Sequence, residues 1–263
     1  MNILLTNDDG IHARGLWSLF SHLAGRHHVD VIAPDRERSA IGHAITLHQP
    51  LRATRISLNG DCTGYAVNGT PADCIKLGIA EILPADPDVV VAGINPGANV
   101  GANLNYSGTV AAAKEAALRG IIGIAVSIEG PDVNNYDDGA RFVAELCETV
   151  HAKGLPFGTF LNVNIPNCPF REIAGVQISR QSVDVLSEYV EKRRDPRDRP
   201  YYWQGRDMQT FKADPQIDGA VLNRRCISIT PVKCDMTDYH ALEDMESWEL
   251  GKIVTSGEND KQS

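Results

Sequence analysis

The sequence predicts an α/β protein with a doubly wound, mostly parallel sheet and a strand-rich C-terminal extension. Three observations carry that prediction. Strand and helix signals alternate through the first two-thirds of the 263 residues. The strand segments there are continuous apolar runs, the mark of strands buried on both faces. The last third drops the alternation, and its charge, proline and aromatic content rises. Alternation of the first kind builds right-handed βαβ crossovers around a parallel sheet.

The elements follow in order. "NILLT" is the first buried strand, and Leu16, Leu19, Phe20 and Leu23 then fall on one helical stripe. "VDVIAP" is a second strand. "GTPADCIKLGIAEIL" is a helix with a legible start: Thr70 as N-cap, Pro71 in the first turn and Asp73 at the positive end. "DVVVAGIN" is a third buried strand, and "SGTVAAAKEAALRG" a helix closed by Gly120. "IIGIAVSI", a helix around Phe142, Val143, Leu146 and Val150, and the strand "FLNVNIP" complete the core. The division expected is a metal- and phosphate-binding core over 1–166, an oligomerisation arm over 167–254 and a disordered tail over 255–263. In the arm, "RRDPRDRPYYW" is dense in charge and aromatics, and "RCISITPV" is an alternating strand with no helix expected nearby.

Composition narrows the function. A formal net charge of −9 gives no electrostatic footprint for long nucleic acid or an anionic membrane. No apolar run approaches the ~20 residues that span a bilayer. Six cysteines without a C-x-x-C pair suggest reduced thiols, and with no leader-like N-terminus the expectation is a cytoplasmic protein. A small phosphorylated substrate stays open, because a bound cation supplies positive charge locally.

Ligands of open α/β sheets bind beyond the carboxyl ends of the strands, and three stretches rich in oxygen donors stand there. "TNDDG" sets Asp8 beside Asp9, and neighbouring strand residues point to opposite faces unless the backbone turns, as Gly10 permits. Two converging carboxylates repel unless a cation or a proton lies between them. A turn that caps the following helix is the ordinary reading of a lone Asp-Asp-Gly. The other two stretches, "PDRERSAIGHA" and "GINPGANVGANLNYSGT", shift the balance towards a hard cation, since their donors are all oxygen. Ser107, Gly108 and Thr109 open a helix with free N–H groups and two hydroxyls, which suits either an anion or plain capping. A metal site and an anion site on neighbouring strand ends suggest phosphate chemistry. G-x-G-x-x-G after the first strand, G-x-x-x-x-G-K-[ST] and G-x-S-x-G are all missing, so dinucleotide, P-loop and nucleophile-elbow chemistries lack support.

In order along the chain stand "ILLTNDDG", "APDRERSAIGHAIT", "VNGTPADCIKLGI", "PDVVVAGINPGANVG", "YSGTVAAAKEAALRGIIGIAVS", "LNVNIP", "DPRDRPYYW" and "SITPV". Together they resemble the SurE family of survival proteins, which are 5′-nucleotidases. The resemblance implies a Rossmann-like core and divalent-metal-dependent hydrolysis of nucleoside 5′-monophosphates, extending in some members to 3′-monophosphates and short polyphosphate. It implies one cation per subunit, Mg²⁺ or Mn²⁺ with Ca²⁺ as an alternative occupant, held by Asp8, Asp9, Ser39 and Asn95. It also implies a homodimer that exchanges C-terminal arms, in some cases paired into a tetramer. Three positions depart from the family: Arg14 for a common proline, and Ala40 and Asp198 for glycines.

The expected chemistry is therefore phosphomonoester hydrolysis, with Asp8 and Asp9 as catalytic residues and Ser107, Gly108 and Thr109 on the phosphate. Asp9 as base or nucleophile stays open, and His12, His43, His48 and Asp235 are weaker candidates. A nucleotide-dependent transferase on the same fold and a non-enzymatic nucleotide or phosphate sensor are the alternatives. Release of orthophosphate to water alone separates hydrolysis from both.

Overall fold

The computed structural model describes residues 1–58, 62–133, 135–183, 188–206 and 214–256. Strands β1 (Asn2–Thr6), β2 (His28–Pro34), β4 (Cys62–Val67), β5 (Val89–Pro96), β6 (Ile122–Ile128) and β7 (Thr159–Ile165) run parallel in the order β4-β2-β1-β5-β6-β7. Strand β3 (Ala53–Leu58) adds an antiparallel edge to β4. At the other side β11 (Cys226–Lys233) pairs antiparallel with β7 and parallel with β8 (Gly175–Ile178), which completes a nine-stranded sheet. The chain builds outward from β1 in one direction, then restarts at β5 and builds in the other. Such a reversal opens a crevice at the carboxyl ends of the two strands that flank it.

Side chains alternate across the sheet as strand geometry requires. Ile3, Leu5, Val89, Val91, Ile124, Val126, Leu161 and Val163 enter one core cluster. That cluster is closed by α1 (Arg14–Leu23) through Leu16, Leu19 and Leu23, and by α4 (Tyr136–Lys153) through Val143, Cys147 and Val150. Leu4, Val90 and Ala92 point the other way, onto Cys74 and Ile75 of α2 (Pro71–Leu77) and Ala112 and Ala116 of α3 (Gly108–Leu118). The alanines let α3 lie close on the sheet: a Cβ at Gly123 of β6 would fall 2.1 Å from the carbonyl oxygen of Ala113.

The helix starts match the sequence. Thr70 caps α2 in a reciprocal box with Asp73, and Ser107 caps α3 by accepting from the Val110 N–H. A π-helical turn, Gly78–Ile82, extends α2. The β3–β4 hairpin was not expected. In the last third β8 and β11 join the main sheet, while β9 (Glu188–Arg194) and β10 (Pro200–Arg206) form a two-stranded sheet of their own. Three short helices also lie there: α5 (Asp218–Asn223), α6 (Tyr239–Glu246) and α7 (Gly251–Ser256). The segment around "RCISITPV", expected without a helix, thus follows α5 directly, because Val221 and Leu222 have an apolar surface to bury. Of the tail expected to be disordered, 255–256 end α7 and 257–263 lie outside the described residues.

Candidate active site

The crevice between β1 and β5 is where the oxygen donors gather. After β1 the backbone leaves strand geometry at Gly10, whose φ of +101° is open to glycine at little cost. Asn7 fastens the turn at both ends, donating to the Gly10 carbonyl (3.0 Å) and accepting from its N–H (3.1 Å). The Arg38 N–H reaches the Asp8 carbonyl at 2.7 Å and ties in the loop after β2, which carries Ser39. On the other side the register of β5 against β6 shifts between Ala92 and Asn95. Bulges of this kind re-aim a side chain. The Asn95 amide nitrogen donates to the Gly97 carbonyl (2.6 Å), which leaves its oxygen available.

Asp8, Ser39, Asn95, Asn99, Asn103 and Ser107 are among the residues that line one cavity of about 210 Å³. Three of the four expected metal ligands thus share a wall. Asp9 is the next residue in the chain after Asp8 and is not part of that wall; its Oδ2 is buried and has no protein partner. Burial, then the charges of Asp8 and of Glu37, pushes Asp9 up to about 7. Glu37 also accepts from the Ser39 hydroxyl at 2.6 Å, so a third carboxylate borders the site, one that the sequence did not single out. Tyr136, at the start of α4, feels the charge of Asp9 and has the Arg14 guanidinium 5.9 Å over its ring.

The N-terminus of α3 is already engaged. The Thr109 hydroxyl donates to Asp8 Oδ1 at 2.5 Å and its N–H to Oδ2 at 3.2 Å. A Cβ at Gly108 would sit 2.8 Å from the Asp8 Cβ, so only glycine lets the helix come this near. Of the three residues expected on the phosphate, Ser107 faces the cavity, Thr109 grips Asp8 and Gly108 lies against it.

The far wall is rigid. Asn99 spends its N–H on Asn164 Oδ1 (2.8 Å), its carbonyl on the amides of Asn162 (2.8 Å) and Asn164 (3.0 Å), and its own amide on Ser127 (2.9 Å). Gly101, which opens the following 3₁₀ turn, donates to Asp218 at 2.7 Å and accepts from Gln181 at 2.9 Å. The histidines stay out of this cavity: His43 pairs with Glu115 at 3.0 Å, and His12 and His48 are exposed. Asp235 is exposed and accepts from the Thr237 N–H and the Tyr239 hydroxyl at the entry to α6.

Among the described residues no three of His, Cys, Asp and Glu converge as ligands. A cation here would rest on two carboxylates completed by neutral oxygens. The partnerless Asp9 oxygen and the free Asn95 oxygen fit that role, and an all-oxygen set suits a hard divalent ion.

The family model described as survival protein SurE matches residues 3–188. The chain is 56% identical over 252 residues to a 5′-nucleotidase SurE of Desulfatibacillum aliphaticivorans, covering 96% of this chain and 100% of that protein. It is 45% identical over 250 residues to the 5′-nucleotidase SurE of Syntrophobacter fumaroxidans, covering 95% and 100%. The crystal structure of the SurE protein from Aquifex aeolicus superposes with a TM-score of 0.83 at 35% identity, covering 95% of this chain and 100% of that one.

Proposed function

Because the chain belongs to the survival protein SurE family and is a 5′-nucleotidase, we propose that it works from the β1–β5 crevice, through Asp8, Asp9, Ser39 and Asn95 around one divalent cation. The observation that carries this placement is the one cavity wall shared by Asp8, Ser39 and Asn95, with a buried, partnerless oxygen on Asp9, the next residue in the chain. Bound there, a hard cation such as Mg²⁺ or Mn²⁺ supplies positive charge to the phosphate and acidifies a water that meets it.

The chain's own residues do the rest. Asp8, held on two sides by α3, presents its remaining lone pairs to the crevice. Asp9 is the oxygen left to bind the cation or to hold the attacking water. Ser107, on the cavity wall, offers its O–H to a phosphate oxygen while its lone pair caps α3. Asn99 cannot turn towards substrate, because four hydrogen bonds hold it, and so it fixes the shape of the pocket.

Substrate preference among 5′- and 3′-monophosphates and short polyphosphate belongs to the same proposal, as does assembly into a homodimer or a pair of dimers. Six cysteines without a disulfide support a cytoplasmic location. No helix among the described residues is long and apolar enough to cross a membrane. The test is turnover of nucleoside 5′-monophosphates after exhaustive chelation. Activity is expected to vanish with EDTA, to return with Mn²⁺ or Mg²⁺, and to be absent in Asp8→Asn and Asp9→Asn at any metal concentration. Undiminished turnover in EDTA overturns the cation, and near-normal rates in both variants overturn the placement.

A further inference from the structure

The geometry points to Thr109 as a positioning residue: its hydroxyl and N–H clamp the Asp8 carboxylate in the orientation that faces the crevice, and they do not hold substrate phosphate. The inference rests on the crevice assignment above and says what the start of α3 does within it.

The start of an α-helix carries free N–H groups and a partial positive charge, and it attracts whichever anion lies nearest. In this chain the nearest anion is a side chain of the protein itself. Thr109 is fully buried, and the wall of the 210 Å³ cavity includes Ser107 but, among the described residues, neither Gly108 nor Thr109. Its hydroxyl has one proton to give, and that proton goes to Asp8 Oδ1 at 2.5 Å. Its N–H goes to Oδ2 at 3.2 Å. With one donor on each oxygen the carboxylate plane cannot rotate, and each oxygen keeps a lone pair for an external partner.

Gly108 makes this contact possible. Any side chain there would strike the Asp8 Cβ, and α3 would have to retreat, drawing both Thr109 donors out of reach. The helix is in turn fixed from behind by Ala112, Ala113, Ala116 and Ala117, all buried against the sheet or its neighbours. Asp8 is thereby referenced to the rigid core and not to the loop that bears it. Partners that orient a ligating carboxylate commonly change metal affinity by roughly 10–100-fold when removed.

The experiment compares wild type, Thr109→Val and Thr109→Ser, with Asp8→Asn as control. Mn²⁺ affinity is measured calorimetrically without substrate, inhibition by orthophosphate is measured on the loaded enzyme, and metal-free crystal structures are solved. Thr109→Val is expected to lose roughly 10–100-fold in Mn²⁺ affinity and to show a displaced or rotated Asp8. Thr109→Ser, which keeps the hydroxyl, is expected to restore both. Unchanged Mn²⁺ affinity in Thr109→Val together with weakened orthophosphate inhibition overturns the inference and makes Thr109 a phosphate ligand. Equal loss in Thr109→Val and Thr109→Ser also overturns it, because the hydroxyl is then not the operative group. Should wild type and Asp8→Asn bind Mn²⁺ alike, the cation assignment falls. The metal-free structures then decide the clamp alone: Asp8 unmoved in Thr109→Val rejects it, and Asp8 moved in Thr109→Val but not in Thr109→Ser upholds it.

Discussion

Asp9 sits at about 7, against 3.8 for a free aspartate, chiefly because burial penalises its charged form and then because Asp8 and Glu37 repel it. The folded protein therefore binds this proton more tightly than the unfolded chain does. The associated stability is fully present below about pH 4 and is lost as pH rises through about 7. In chelated protein, Asp9→Asn should remove that part of the alkaline decline and melt above wild type at pH 8, with little difference at pH 4. Melting curves at the two pH values check it, and parallel profiles for both proteins contradict it. Asp8 and Asp9 were legible as candidates because two adjacent carboxylates stand where a buried strand gives way to Gly10, beside two other oxygen-rich stretches at strand ends. Thr109 was legible as a polar residue at a helix start, but its partner was not, since Asp8 lies 101 positions away in the chain. Ala40 and Asp198, the two departures from family glycines, both stand in left-handed backbone at φ of +55° and +60°. A Cβ in that conformation costs on the order of 1 kcal/mol, which the fold tolerates at both exposed turns.

At the scale of elements, the short helix α5 does more than its six residues suggest. Its first residue, Asp218, is fully buried and accepts from the N–H groups of Gly101 (2.7 Å), Gly219 (2.9 Å) and Ser182 (3.3 Å). No cation pairs with it among the described residues. Asp218→Ala would strand three donors, and an unsatisfied buried group costs roughly 1–3 kcal/mol. The expected result is a loss of about 3 kcal/mol or more in urea unfolding, with a lower kcat/KM because the Asn99–Gly101 wall loosens. An unchanged denaturation midpoint would show that the anchor is dispensable. The core elements were legible because a two-sided strand must be apolar throughout and a covering helix must repeat at its own period. The β3 segment "ATRISL" has mostly exposed side chains on an edge, and α5, α6 and α7 are too short to show a stripe, so periodicity could not announce them. Asp218 belongs to no motif, and nothing local marks a carboxylate that accepts from the distant Gly101 and Ser182 N–H groups as well as from its neighbour Gly219.

At the scale of the whole molecule, the last third leaves apolar surface uncovered. Tyr202 and Trp203 on the β9–β10 hairpin are 58% and 59% exposed, and Trp248 and Ile253 near the C-terminus are 60% and 70% exposed. A lone two-stranded hairpin is marginal in water, and aromatic side chains of this kind are the usual anchors of an interface. Light scattering should find at least a dimer at micromolar concentration, and Trp203→Ala should weaken it. A wild-type monomer with full activity would contradict this. The placement of β11 between β7 and β8 has a consequence for synthesis. Strand β8 ends at Ile178, yet its partner β11 begins only at Cys226, and until then β7 also lacks its outer neighbour. At roughly 5–20 residues per second, the nascent chain holds an open sheet edge for seconds while its sole seal is still being made. The anchor Asp218 emerges in the same interval. The lining of the pocket, from Asp8 to Ser107, is thus translated well before Asp218, the residue that braces its far wall through Gly101.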